Sequence, residues 1–408
     1  MLYILQGSAM LLSLVAVPYE SRILTEEHYG LIGVATAIMV YFQLVVDFGF
    51  LLSATEDVSK NREDTPYLCR LLTSVSVCKL MLSAASFVVL MVLCRLIPAW
   101  RPKTLLLILF FISTVFTSFM PDYMYRGIEK MTAIAIRTVI IRAFFTGMIF
   151  LLLKTPKDIY YIPILNIIGN GLAMLAAYID LGKRFQIRLC RISAKDVWHS
   201  FKRSSVFFAS RFATTFYTAL NTVILDIITA GGVDTSLYSS ADKLITTGKN
   251  VMTPVSDSLY PYMTKHKDFK LVKRVLLIIM PIIILFCTGC FIWADELCLL
   301  IFGKGFDKAG NILRAMLPVG VVILPSYLCG FPMLTAMGLS KYANLSVIFG
   351  TAIHLINLAV LYFTGNINMI SLGVLLSIAE TAILIFRVIV IYKHRDRLRT
   401  APETEAAE

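Results

Sequence analysis

Charged side chains are scarce in this sequence: 16% of its 408 residues are Asp, Glu, Lys or Arg, against 58% hydrophobic. A soluble globular chain carries roughly 25% charge, so this balance, with a mean hydropathy of +0.77, excludes an ordinary water-soluble domain. Long polar segments are missing too, which leaves no room for a soluble catalytic, nucleotide-binding or receptor domain. The phosphate-loop pattern GxxxxGK[ST] is absent, which argues against an ATP-driven pump on this one chain. No serine-histidine-acid set, HExxH motif or clustered carboxylate pair stands out, so the chain is not read as an enzyme and no catalytic residue is assigned. The eight cysteines are scattered, mostly in or beside apolar runs, and read as small hydrophobes, with no metal and no cofactor expected.

What the sequence has in abundance is apolar length. Runs near the roughly 20 residues that cross a hydrocarbon core about 30 Å thick recur along the whole chain. Their boundaries fall at about 1–20, 31–53, 68–97, 104–125, 131–153, 159–181, 204–229, 236–260, 271–293, 310–336, 342–364 and 369–392. The expectation is an all-α polytopic membrane protein of about twelve transmembrane helices. The first run has no basic residues before it and no small-residue cleavage site after it, so it reads as a retained helix and not a signal peptide; either the native start lies upstream of Met1 or this helix is short. Counting Lys and Arg on alternate loops and the tail gives 21 on one side and 7 on the other, which places both termini in the cytoplasm. Topology thereby accounts for the net charge of +12, and no nucleic-acid partner is expected.

The longest basic loop, around residues 182–203, divides the chain almost in half. The expected organisation is a six-helix lobe over 1–181, a basic cytoplasmic linker over 182–203, a second six-helix lobe over 204–392 and a cytoplasmic tail over 393–408. Two lobes around a central cavity are a common way to build a transporter.

Two neighbouring spans are polar on one face. In the stretch LYSSADKLITTGKNVMTPVSDSLY, from Leu237 to Tyr260, the residues Leu244, Ile245, Gly248, Val251, Met252 and Val255 form one apolar stripe. The other face carries Asp242, Lys243, Thr246, Thr247, Lys249, Asn250 and Thr253. The preceding span repeats the pattern with Arg211, Thr214, Thr215, Thr218, Asn221, Thr222 and Asp226. Asp47, Arg142 and Glu380 add charges within other spans. An ionisable residue at the centre of a lone membrane helix costs about 2.5 to 3.5 kcal/mol, so such residues persist where they meet water, a partner or a ligand. Asp47 fits either a lysine partner in helix packing or a place on a wet face. Arg70, Arg137, Arg314 and Arg387, near span ends, read as snorkelling to the interface. His354, alone on an apolar span, reads as a packing histidine. Pro254, Pro318, Pro325 and Pro332 permit bends.

The segment FFASRFATTFYTALNTVILDIITAGGVDTSLYSSADKLITTGKNVMTPVSDSLYPYMTK, from Phe207 to Lys265, resembles the helix 7 to helix 8 region of the Wzx-type O-antigen and polysaccharide flippases, within the multidrug/oligosaccharidyl-lipid/polysaccharide exporter superfamily. LLSLVAVPYESRIL, VDFGFLLSATEDVSKNRED, YRGIEKM and MLTAMGLSKYAN, together with Gly373 and Glu380, are similar to that family as well. The family commonly has a glycine-tyrosine pair where this chain reads Ser236, Leu237, Tyr238. The resemblance implies a bacterial inner-membrane flippase that moves undecaprenyl-diphosphate-linked oligosaccharide units to the outer leaflet by alternating access. Membrane lipids, a polysaccharide polymerase and a chain-length regulator are the implied partners. On this expectation Arg142, Arg211, Lys243 and Lys249 attract the diphosphate, while Thr215, Thr218, Asn221 and Asn250 meet the sugars. Asp47, Asp226, Asp242 and Glu380 are the candidates for ion coupling. The alternatives are a multidrug cation exporter of the same superfamily, which should present carboxylates and not lysines to its ligand, and a membrane glycan polymerase or ligase, which should carry a large outer loop.

Overall fold

The computed structural model describes residues 15–215, 219–229 and 232–398, apart from a few side chains, among them that of Thr215. Every regular element among the described residues is helical. Nine of the helical segments there are long and apolar enough to cross a membrane, so the chain is a multi-pass membrane protein. By contacts it divides into two compact units, Met1–Ser236 and Leu237–Glu408.

The first unit contains α1 (15–23), α2 (Glu26–Asp47), α3 (Phe50–Lys60), α4 (Thr65–Leu96), α5 (Thr104–Ser118), α6 (Asp122–Gly127), α7 (Met131–Leu152), α8 (Tyr161–Arg184), α9 (Ala194–Thr215) and α10 (Leu220–Thr229). Here α2 packs on α4, α5, α9 and α10, while α8 packs on α5 and α7. One apolar cluster joins Phe50, Val58, Leu68, Leu72, Met124 and Leu181, so α3, α4, α6 and α8 share a core. The second unit takes up most of α11 (Val233–His266), followed by α12 (Phe269–Ile292), α13 (Ala294–Phe302), α14 (Ala309–Cys329), α15 (Phe331–Ala336), α16 (Ser340–Phe363) and α17 (Met369–Lys393). Its most extensive packing is of α17 against α14 and α16. At the α16–α17 crossing, a Cβ on Gly350 would stand 2.3 Å from the Ile383 side chain, so only glycine permits that approach.

Helix starts follow the local sequence. Asp64 and Asp268 accept hydrogen bonds from the backbone of Tyr67 and Leu271, at 2.9 and 3.1 Å, and open α4 and α12. Asn368 and Ser371 form a reciprocal capping box at α17. At α9 the Ser193 backbone donates to Asp196 at 2.9 Å and holds this carboxyl below its usual range. Outward-facing apolar side chains, such as Leu285 and Phe363 at 76% and 85% exposure, complete the picture of helices that face hydrocarbon.

Several expected spans are broken near one end. The 31–53 run is interrupted at Phe48 and Gly49, where φ is 39° and 76°, and resumes as α3. The 104–125 run ends at Ser118 and resumes after Pro121 as α6; the 310–336 run breaks at Gly330 and resumes as α15. The last two breaks share one design. In each, a six-residue helix is followed by a three-residue link into the next long helix. The link's middle residue is left-handed, Glu129 at φ 60° and Gly338 at φ 72°. Its last residue returns a backbone hydrogen bond, Lys130 to Tyr125 at 2.8 Å and Leu339 to Leu334 at 2.7 Å. The expected span 204–229 is covered by α9 and α10, with 216–218 outside the described residues.

Candidate functional site

In the second unit, α11 brings Lys249 against Glu380 of α17, with Lys249 Nζ 2.6 Å from Glu380 Oε1. Both are sheltered, at 19% and 5% side-chain exposure, as an ionised pair in a low-dielectric region requires. His354 of α16 and Tyr327 of α14 lie within electrostatic reach of Glu380, and Tyr327 lies within the same reach of Lys249 and Arg387. Four helices thus converge on one buried charge cluster. Asp242, two turns before Lys249, is half-buried within electrostatic reach of Lys249 and Lys243. Lys243, Thr246 and Asn250 are exposed. Thr247 and Thr253 donate to the carbonyls of Lys243 and Lys249, at 2.7 and 3.1 Å, so these hydroxyls are satisfied within the helix and keep acceptor capacity. Val251, on the expected apolar stripe, is 51% exposed, while Leu237, Tyr238, Ala241 and Ile245 are buried.

Arg387, expected to snorkel, is buried in α17. It donates through Nε to Ser346 at 2.8 Å and through one Nη to the carbonyl and hydroxyl of Ser326, at 2.6 and 3.0 Å. Its α17 position faces the α14–α16 side, where two serines stand in for interfacial water. His354 is fully buried on α16.

The first unit holds further sheltered pairs. Lys79 of α4 lies 3.8 Å from Asp47, donates to the Ser118 carbonyl and sits 5.6 Å from the centre of the Tyr123 ring. Arg211 is within electrostatic reach of Asp47. Asp226 of α10 is fully enclosed; it accepts from Lys103 at 2.6 Å and from the Trp100 indole at 3.1 Å. Asn221 is buried on the same helix, whereas Arg142 is exposed on α7. Thr218 lies outside the described residues, as does the side chain of Thr215.

Lys79, Lys103 and Trp100 escaped the sequence reading. A lone lysine in the middle of the 68–97 apolar run was the available signal for Lys79, since a charge there demands a partner. Lys103 sits at a loop edge, where a lysine signals nothing. Cys287 and Cys290 stand in a CxxC spacing inside α12, but among the described residues no group of three metal-ligating side chains gathers anywhere.

Sequence and structure comparisons bear on the family and the fold. A family model described as polysaccharide biosynthesis protein matches residues 1–267. A protein of Shigella dysenteriae, provisionally named an O-antigen transporter, is 23% identical over 94% of this chain and 96% of its own. A second, from Escherichia coli strain K12 and named in the same way, is 23% identical over 83% of each. Among solved structures, a multidrug resistance MATE family transporter of the MOP superfamily, in an inward-facing conformation, aligns with a TM-score of 0.68 at 15% identity over 98% and 96% of the two chains. The lipid II flippase MurJ aligns at 0.69 and 14% identity, over 96% of this chain and 87% of its own. The helices, their order and the matched residues together establish that the chain belongs to the polysaccharide biosynthesis protein family and has the fold of the MOP-superfamily transporters.

Proposed function

We propose that the protein is a flippase that moves a lipid-linked oligosaccharide, carried on undecaprenyl diphosphate, from the cytoplasmic to the outer leaflet of a bacterial inner membrane. The observation that carries the reading is the Lys249–Glu380 pair, set on a helix whose exposed positions include Lys243, Thr246 and Asn250. A diphosphate is compact and anionic. It competes with a carboxylate for an ammonium through the same charge-assisted hydrogen bonds, so substrate entry exchanges one partner of Lys249 for another. Glu380, parted from Lys249, then becomes a site for a coupling cation. This links substrate binding to an ion and gives the cycle an ion-gradient dependence through alternating access.

Lys243 and Lys249 meet the diphosphate, and Arg211 and Arg142 guide it. Thr215, Thr218, Asn221 and Asn250 serve the sugar hydroxyls. Asp47 and Asp242 are secondary coupling candidates. Asp226 is the least suited to that role, since its enclosed pair with Lys103 would have to open first. A multidrug cation exporter is disfavoured by lysines at the site. With both termini in the cytoplasm, the basic loops lie where the positive-inside rule puts them. A polysaccharide polymerase and a chain-length regulator would receive the product.

The test is cellular. Deletion of the gene should abolish surface polysaccharide and leave lipid-linked repeat units inside the cell, with wild-type protein restoring both. Shortened or lengthened polymer with normal translocation would assign the chain to polymerisation instead, and drug sensitivity without a glycan defect would assign it to cation export.

A further inference from the structure

Away from the charge cluster, the first unit has a groove between α7 and α8 with a cavity volume of about 510 Å³. Its walls are Ile136, Ile140, Ile141 and Phe144 of α7. Its floor is Gly169, Ala173, Ala176 and Ala177 of α8, small residues at helical spacing that leave a channel instead of filling it. All of its charge lies toward one end, in Arg137, Asp180 and Arg184. From Gly169 to Arg184 the helix rises about 22 Å at 1.5 Å per residue. That is half of the roughly 40 to 45 Å of a bilayer with its headgroups, so the groove is one leaflet deep.

The charged end is incompletely satisfied. Asp180 accepts from the Tyr125 hydroxyl at 2.8 Å, and Arg137 gives one Nη to Asp122. The Arg137 Nε, however, is buried with no hydrogen-bond partner among the described residues. A buried donor left unmade is costly, and a phosphate or ester oxygen reaching into the groove would supply its acceptor. Arg184 is exposed at the mouth, and Lys183 adjoins it.

We infer that the α7–α8 groove is a binding site for one anionic phospholipid of the leaflet that meets the basic 182–203 segment, with an acyl chain along the alanine floor and the phosphate between Arg137 and Arg184. The single-leaflet depth favours a phospholipid over the much longer prenyl chain of the transport substrate, and Arg137, Arg184 and Lys183 outnumber Asp122 and Asp180 at the charged end, which favours an anionic headgroup over a zwitterionic one. The inference is independent of the proposed function, because it rests on residues that play no part in the Lys249–Glu380 site.

Purified protein, stripped of lipid and titrated with phosphatidylglycerol or phosphatidylcholine in separate arms, can be weighed intact by native mass spectrometry. Wild type should retain one phosphatidylglycerol in preference to phosphatidylcholine. Arg184→Gln should reduce that retention roughly tenfold, the size expected on losing a charge-assisted contact. Ala176→Phe, which fills an exposed position in the channel, should abolish it; Ala176→Leu serves if the larger ring impairs folding, and melting curves confirm that each variant is intact. Equal retention of the two lipids, retention unchanged in both variants, or displacement of the bound lipid by a polyprenyl phosphate at equimolar amounts would each overturn the inference.

Discussion

Replacing Lys249 by Met removes one half of a sheltered ion pair and keeps most of the side-chain volume. Glu380, at 5% exposure, is then left charged in a protein interior that gives it little solvation. Breaking a buried pair from one side costs about 3 to 5 kcal/mol, because the remaining charge is uncompensated. For a domain of roughly 150 to 250 residues each kcal/mol moves Tm by about 2 to 4 °C, so Lys249→Met should lower Tm by at least about 6 °C in detergent. The double variant Lys249→Met with Glu380→Gln removes both charges and should recover most of that loss. The coupling energy of the cycle is then about 2 kcal/mol or more. Thermal melting of the four proteins at one detergent concentration reads it directly. A single variant within about 0.5 kcal/mol of wild type, or a double variant whose loss is the sum of the singles, would refute the pairing as an energetic unit.

Other consequences follow from the same geometry. Lys103→Met leaves Asp226 with the Trp100 indole as a donor but without its cation, and should cost about 3 to 5 kcal/mol; Lys103→Met with Asp226→Leu should be much milder, read by melting and by membrane yield. The two left-handed link residues should respond in opposite directions: Glu129→Gly should stabilise by roughly 1 kcal/mol and Gly338→Ala destabilise by about as much, measured as shifts in Tm.

The spans themselves were legible, because hydrocarbon demands apolar length and the sequence supplies it in units of about one membrane thickness. The breaks were less so. Gly49, Pro121 and Gly330 are ordinary residues in an apolar run, and only the backbone shows that Phe48 and Glu129 adopt left-handed conformations that their side chains disfavour. The polar face of α11 was visible as a pattern, but its meaning was not. Lys249 and Glu380 are 131 positions apart, and helical periodicity holds no information across that distance. A lysine partner is one option the sequence leaves for Asp47, and Lys79 supplies it at 3.8 Å, yet nothing along the apolar run of Lys79 ties it to a residue 32 positions earlier. Arg387 shows the opposite limit: position near a helix end predicts snorkelling, but rotation toward Ser326 and Ser346 buries it.

The proposed flippase carries a lipid-linked oligosaccharide across a bilayer through the Lys249 face of α11. The most direct measurement places purified protein in sealed vesicles loaded with lipid-linked repeat unit and follows how much becomes accessible to a membrane-impermeant sugar-oxidising reagent added outside. Wild-type vesicles should expose the unit initially hidden in the inner leaflet, faster with an ion gradient than without, while vesicles bearing Lys249→Met and protein-free vesicles should expose only what faced outward at the start. Equal exposure by Lys249→Met and wild type, or by protein-free and wild-type vesicles, would contradict it.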